Sequence, residues 1–554
     1  MKTVKQALLI KLTELFPSEC YEDRKDYLLQ FSKDQVLNCL ASFNRYINRI
    51  ISLDISYDTQ LKILFELLEG NKVIFDRIKE LLKKYNAGNK IPLLFSRASF
   101  LIAIDEVRTL EFAKIQNPKP HGVYLLKYLL AINSVIANEQ NKNASKKLTT
   151  IESIFSKIAP SNELFFFINP VTELLRSFAL NFYLKKHHKY SKALGEFEEK
   201  IGFSYQVLNT WILDKASLRE EKIHVPILYS RNEQDSKILD YFSDLDNLNQ
   251  VSELEIIRTK KSPIHRSERG IFLLLDINLL VDKSYYSLVN DFFFDNKKKY
   301  NFRRDFYMAE LGLFFEKHIS SIIKRSFHFL KHPSPKTLDE LKVRNSEGEI
   351  ELADAYLRQN KRIMIAQVKV SAINSHDKYS NEDYQMILGT KENIYDKFGL
   401  YQIVSSIKKM VFNPTQFDHK ISKNKKYEIY PVLIFNERIL GLPIVPLMFQ
   451  NEFCKNLAKE LSEPSIYELD TISDIKYENF VIKPVILMHC SWLEILEPYI
   501  AQKKIDIWSF LKKYIKETKL QHNLENSLGS LIDDTYFQYV IENANNYLKN
   551  ENVA

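Results

Sequence analysis

Residues 363–369 read IMIAQVK, an apolar run that ends in an amide and an amine. Alternate side chains of a strand share a face, so Gln367 and Lys369 point the same way. Burying both without partners is costly, which predicts a use for them. The preceding stretch ELADAYL (351–357) reads as the first strand of a hairpin that turns through Arg358, Gln359, Asn360 and Lys361. Neighbouring strands lie ~4.8 Å apart, so Asp354, Gln367 and Lys369 can converge at one end of a sheet. Upstream, AELGLFFEKHI offers Glu310 and Glu316, six residues apart on a helix, of which only one need face that sheet. Carboxylates together with a backbone carbonyl suit Mg²⁺, a hard cation that keeps several waters. Such an ion lowers the pKa of a bound water and stabilises charge on a phosphoryl oxygen. A neighbouring lysine orients or deprotonates the attacking water and steadies the developing charge. The chemistry expected of this set is phosphodiester hydrolysis.

The surrounding pattern supplies elements that could hold these groups. RRDFYMAELGLFFEKHISSIIKR (303–325) has helical periodicity, ELADAYL and RIMIAQVKV read as strands, and YDKFGLYQIVSSIKKMV (395–411) reads as a helix. YEIYPVLIF and FVIKPVILMH read as further strands. This order predicts an α/β core, a central mixed sheet flanked by helices.

At these residues the chain resembles the PD-(D/E)xK nuclease superfamily, the fold of many restriction endonucleases. GLFFEKHI resembles the superfamily's first helix and selects Glu316 over Glu310. ELADAYL resembles the strand bearing the metal-binding aspartate, here Asp354. AQVKVS resembles the third element, with Gln367 in the second ligand position and Lys369 as the catalytic lysine. YQIVSSIKKM resembles the following helix, where a glutamine such as Gln402 lies near the site. The resemblance covers roughly residues 303–500 and departs from the pattern twice. Ala353 stands where the family name has proline, and Gln367 replaces the commoner glutamate. It implies a restriction-endonuclease-like core and a Mg²⁺-dependent endonuclease, with Mn²⁺ as a substitute, cutting DNA rather than RNA, in the setting of restriction or antiphage defence. The implied ligands are Glu316, Asp354, Gln367 and the Val368 carbonyl, with Lys369 handling the water. The glutamine also admits an alternative: a catalytically inactive nucleic-acid- or protein-binding component on the same fold.

The rest of the chain frames this reading. Residues 1–221 carry apolar positions at three- and four-residue steps nearly throughout and predict a large helical region. Residues 222–302, with short apolar runs among polar loops, read as a linker or small α/β segment. The nuclease-like domain is expected at 303–500 and a helical tail at 501–554. Gly is scarce, 12 residues in 554, which favours helices over turn-rich barrels or sandwiches. The net charge of +8 permits a polyanionic partner without demanding one. The basic run DNKKKYNFRR places Lys297, Lys298, Lys299, Arg303 and Arg304 beside two aromatic residues, a pattern suited to phosphates. Four dispersed cysteines lack zinc spacing and fit a reducing compartment. No apolar stretch reaches the ~20 residues of a membrane span, so a cytoplasmic location without membrane attachment is expected. The helical region is expected to serve self-association or a partner subunit. There is no Gly-rich phosphate loop, Ser/His/Asp motif or helicase signature in the sequence.

Overall fold

The structure is a computed structural model. It describes residues 6–29, 31–48, 55–68, 71–87, 90–112, 122–142, 155, 171–217, 226–243, 255–331, 334–345, 348–373, 393–422, 424–442, 444–463, 473–519, 536, 538–539 and 541–543. The chain forms two compact units, one from residues 1–147 and 160–295, the other from 148–159 and 296–554.

The first unit is mainly helical. Its long helices include Lys33–Ile47, Arg97–Val107, Val171–Lys186 and Ile277–Tyr286. One feature departs from the helical expectation for 1–221: Gln6–Leu9 pairs in parallel with Lys90–Leu93. A three-stranded antiparallel sheet joining Ile227–Leu228, Phe272–Leu274 and Ile264–Arg266 falls in the 222–302 stretch expected as a linker or small α/β segment. These strands are two to four residues long. Such lengths are too short for alternation to show in the sequence, and distant pairing creates them.

The second unit is built on a seven-stranded mixed sheet. The central strand Tyr427–Phe435 runs parallel to Arg362–Lys369, Phe480–Ile482 and Ile486–His489. Arg362–Lys369 also pairs in antiparallel fashion with Ala355–Gln359, which continues to Lys336–Thr337. Ile475–Tyr477 closes the opposite edge. FVIKPVILMH is thus two strands rather than one, with the loop around Pro484 between them. Residues 363–368 are all buried, as befits a strand covered on both faces. The hairpin turn is only Asn360 and Lys361, since Gln359 faces Arg362 across the ladder. Asn360 takes φ +57°, a left-handed conformation that asparagine tolerates better than most residues. Arg358 lies in the strand, where its Nε donates to the buried Asp418 at 2.6 Å.

Helices cover both faces of the sheet. Arg304–Ser326 buries Tyr307, Leu311, Phe314, Phe315, Ile319, Ile322 and Ile323, a stripe at three- and four-residue spacing. Gly312 of that helix approaches the Val370 side chain. The same helix is tied to Cys490–Ala501 by His318–Glu494 at 3.0 Å and by an Arg325–Glu497 ion pair. Leu400–Phe412 lies on the other face, against Gln367 and beside helix Val445–Leu461.

Candidate active site

The strand Arg362–Lys369 outruns its hairpin partner, and the site forms where it does so. The last paired residue is Ala366, opposite Ala355. Asp354 stands in a bend just before the partner strand, not within it as the sequence pattern suggests. Its N–H donates to the Ala366 carbonyl at 3.2 Å, and its Oδ2 accepts the Val368 N–H at 2.6 Å. The carboxylate thus satisfies a backbone donor that has no strand to meet. In an extended strand the N–H and C=O of one residue point to the same edge. The Val368 carbonyl therefore faces the same open edge as Asp354.

Gln367 is 6% exposed, and its Nε2 donates to Ser406 Oγ at 3.1 Å. Ser406 spends its own proton on the Gln402 carbonyl at 3.0 Å. The hydroxyl is therefore the acceptor in the first contact, which fixes which end of the amide faces it. Oε1 of Gln367 is left for the site, an uncharged hard oxygen. The Gln402 carbonyl anchors the Ser406 hydroxyl, and the Gln402 side chain is exposed.

Lys369 is half-buried beside Gly399. Gly399 has φ +79° and precedes helix Leu400–Phe412. A Cβ there would lie 3.1 Å from Cε of Lys369 and 3.5 Å from Cβ of Gln367. The glycine thus permits the turn and also the close passage of the lysine stem.

Two carboxyl groups share one electrostatic environment here. Burial pushes Asp354 up to about 6, opposed by the Lys369 charge and the Val368 hydrogen bond and assisted by Glu351. Burial also pushes Glu316 up to about 7, with the Asp354 charge as the next cause and Lys369 opposing. Glu316 and Asp354 therefore repel one another, and Lys369 offsets only part of the cost. Shifts of this kind, from desolvation plus a specific charged partner, concentrate at functional sites.

Of the residues singled out in the sequence, Glu316, Asp354, Gln367, Val368 and Lys369 come together. The basic group Lys297, Lys298, Lys299, Arg303 and Arg304 is exposed at and before the start of the Glu316 helix. Lys299 lies over the Tyr300 ring and Arg303 over Phe306. Sequence reasoning missed Gly399, Ser406 and Glu351. Glu351 is exposed, raises the pKa of both site carboxyls, and accepts Lys409 Nζ on its backbone carbonyl at 2.8 Å. The sequence ELAD, with acids three apart, is the one signal that could have drawn it in.

No group of three or more His, Cys, Asp or Glu side chains suited to a metal ion occurs among the described residues. The set at this edge is of another composition: two carboxylates, one amide oxygen and one backbone carbonyl. These are hard oxygen donors, and the two carboxylates carry charge that one lysine does not balance. A divalent ion of the Mg²⁺ type fits that donor chemistry. No helix among the described residues is long and apolar enough to cross a membrane. No family model, curated protein or solved structure matches the chain.

Proposed function

We propose that the second unit is a metal-dependent nuclease with a restriction-endonuclease-like core, hydrolysing phosphodiester bonds of DNA. The observation that carries this reading is the convergence of Asp354, Glu316 and Lys369 at the open edge of one strand, with both carboxyls raised by burial. A structural ion pair would lower the carboxyl pKa instead. Asp354, Glu316, Gln367 Oε1 and the Val368 carbonyl would hold Mg²⁺ or Mn²⁺. The ion, when bound, supplies Lewis-acid stabilisation of phosphoryl charge and a more acidic water.

The chain's own groups do the rest. Asp354 is held in place by the Val368 N–H, so its second oxygen is preoriented. The Ser406 bond holds the Gln367 amide with its oxygen presented. Lys369 directs a cationic ammonium to the same edge, where it orients the attacking water and steadies charge on a non-bridging phosphate oxygen. The exposed lysines and arginines at 297–304 supply cationic contacts to the phosphate backbone.

The test compares wild type with Asp354→Ala and Lys369→Ala on supercoiled, linear and single-stranded DNA and on RNA, with Mg²⁺, Mn²⁺ or EDTA. Metal-dependent cutting of DNA that both substitutions abolish in folded protein is expected. Cutting that survives both substitutions, or that persists in EDTA, would refute the assignment.

A further inference from the structure

Helix Leu400–Phe412 begins beside the candidate active site, where the turn at Gly399 lies against the Lys369 stem. One line of its side chains runs away from that point along the solvent face. At 3.6 residues per turn, Gln402 and Lys409, seven apart, face within ~20° of the same direction. Ser406, whose hydroxyl meets the buried Gln367 amide, lies ~40° to one side, and Ser405 lies ~60° to the other. Gln402 is exposed, and Ser405 and Lys409 are half-buried. The line from Gln402 to Lys409 is thus the solvent rim of the wall that holds Gln367.

The two adjacent lysines of this helix have different partners. Lys408 pairs with Glu460 at 2.7 Å, an ordinary surface ion pair. Lys409 Nζ instead donates to the Glu351 backbone carbonyl at 2.8 Å, a neutral acceptor. Among the described residues no carboxylate comes within ion-pair distance of Lys409. Burial opposes its charge, and the Glu351 carboxylate, farther off, is the one group that favours it. An ammonium has three donors, so two remain after the carbonyl.

Lys369 also has no carboxylate within ion-pair distance among the described residues. The two ammoniums bracket one short segment: the Lys369 charge acts on Asp354, and Lys409 holds Glu351. Those two anchor residues are three apart, at most ~10 Å of extended chain. The helix rise from Gln402 to Lys409 is also ~10 Å. One strand of DNA carries a phosphate every ~3.4 Å of axis, so this distance spans about three phosphates.

We propose that Lys409 is a substrate-binding residue that holds a phosphate about three nucleotides from the one attacked at Lys369, with Gln402 and Ser405 donating to the backbone between them. The assignment takes its substrate from the nuclease reading above. A Lys409 that only closed the Glu351 carbonyl would instead fix the chain leading into Asp354, and its loss would lower kcat at unchanged affinity.

The experiment measures equilibrium binding of a labelled DNA duplex to the full chain in EDTA at several salt concentrations. Steady-state cleavage with Mg²⁺ is measured on the same proteins. Wild type is compared with Lys409→Gln, Lys409→Arg and Ser405→Asp, each checked for folding by thermal unfolding. Ser405→Asp sets a carboxylate on the phosphate path without touching the Glu351 carbonyl. Expected for Lys409→Gln is binding at least about fivefold weaker, a salt slope smaller by about one, and a raised KM with a much smaller change in kcat. Lys409→Arg should restore affinity, and Ser405→Asp should weaken it at least about fivefold. Cleavage by wild type with Kd and KM unaltered in Lys409→Gln and Ser405→Asp would overturn the proposal and leave the nuclease reading standing. Wild type that binds DNA without cutting it, with the same losses in both variants, would support the phosphate contact and count against the nuclease reading alone.

Discussion

Replacing Asp354 with asparagine should stabilise the metal-free protein while abolishing its activity. The carboxyl is 5% exposed and sits near 6 rather than its ordinary 3.8. A displacement of that size corresponds to roughly 3 kcal/mol, at about 1.4 kcal/mol per pH unit. The sign follows from proton counting. The folded state holds its proton more tightly than the unfolded state. The penalty is therefore absent below 3.8, grows as pH rises, and is complete above about 6. Asparagine removes the charge and keeps an oxygen for the Val368 N–H, but its amide N–H₂ must be accommodated at a cost of ~1–2 kcal/mol. The net gain near pH 7.5 is then about 1–2 kcal/mol, a rise in Tm of roughly 2–5 °C for a unit of this size. The assay is thermal unfolding of wild type and Asp354→Asn in EDTA across about pH 4.5–8, with cleavage measured alongside. The variant's advantage should be near zero at the acid end, appear through pH 5–6, and come with lost activity. A variant less stable than wild type at all pH values, by a constant amount, would show that Asp354 serves the fold as a hydrogen-bonded anchor and would refute the reasoning.

Three further outcomes follow from the same geometry. Mg²⁺ should raise Tm much more at about pH 8 than at about pH 5.5. With Glu316 near 7 and Asp354 near 6, protons compete and lower the apparent affinity on the order of a hundredfold at the lower pH; an equal shift at both pH values would contradict this. Gly399→Ala places a methyl 3.1 Å from Lys369 Cε at a positive φ, so it should cost ~1–2 kcal/mol of stability. It should also lower kcat about tenfold or more while the Mg²⁺-induced stabilisation is retained, read from single-turnover rates and thermal shifts. Arg358→Ala strands the buried Asp418 carboxylate and should destabilise the second unit by ~3–5 kcal/mol without changing the affinity for Mg²⁺ in the protein that remains folded.

Much of the site was legible because its residues are close in sequence and sit on strong periodic patterns. The run 362–369 announces a buried strand through its apolar length, and Gln367 and Lys369 stand out against it. Helix Arg304–Ser326 announces itself through a stripe of seven apolar residues. What was not legible depends on distance along the chain. Gly399 matters because its left-handed backbone lets Lys369 pass, 30 positions earlier, and nothing in FGLYQ shows that neighbour. Ser406 matters because it spends its proton on Gln402 and so turns the amide of Gln367. The sequence shows a serine on a helix and no more. The strands Gln6–Leu9 and Lys90–Leu93 read as part of a helical region because each is too short to reveal a period and exists only through its partner. ELADAYL reads as a strand straight through Asp354 because apolar residues flank it on both sides. Only the register, ending at Ala355 and Ala366, shows that the ladder stops one residue short.

The central claim is that a divalent ion belongs at the open edge beside Val368. Crystals of the full chain grown with Mn²⁺ would place the ion directly by anomalous scattering. The account predicts a peak within about 2.0–2.4 Å of an Asp354 carboxylate oxygen and the Val368 carbonyl, with Glu316 and Gln367 turned toward it, and its loss in Asp354→Asn. Mn²⁺ bound elsewhere with this edge empty, or Lys369 Nζ seated between the two carboxylates in saturating Mn²⁺, would contradict it.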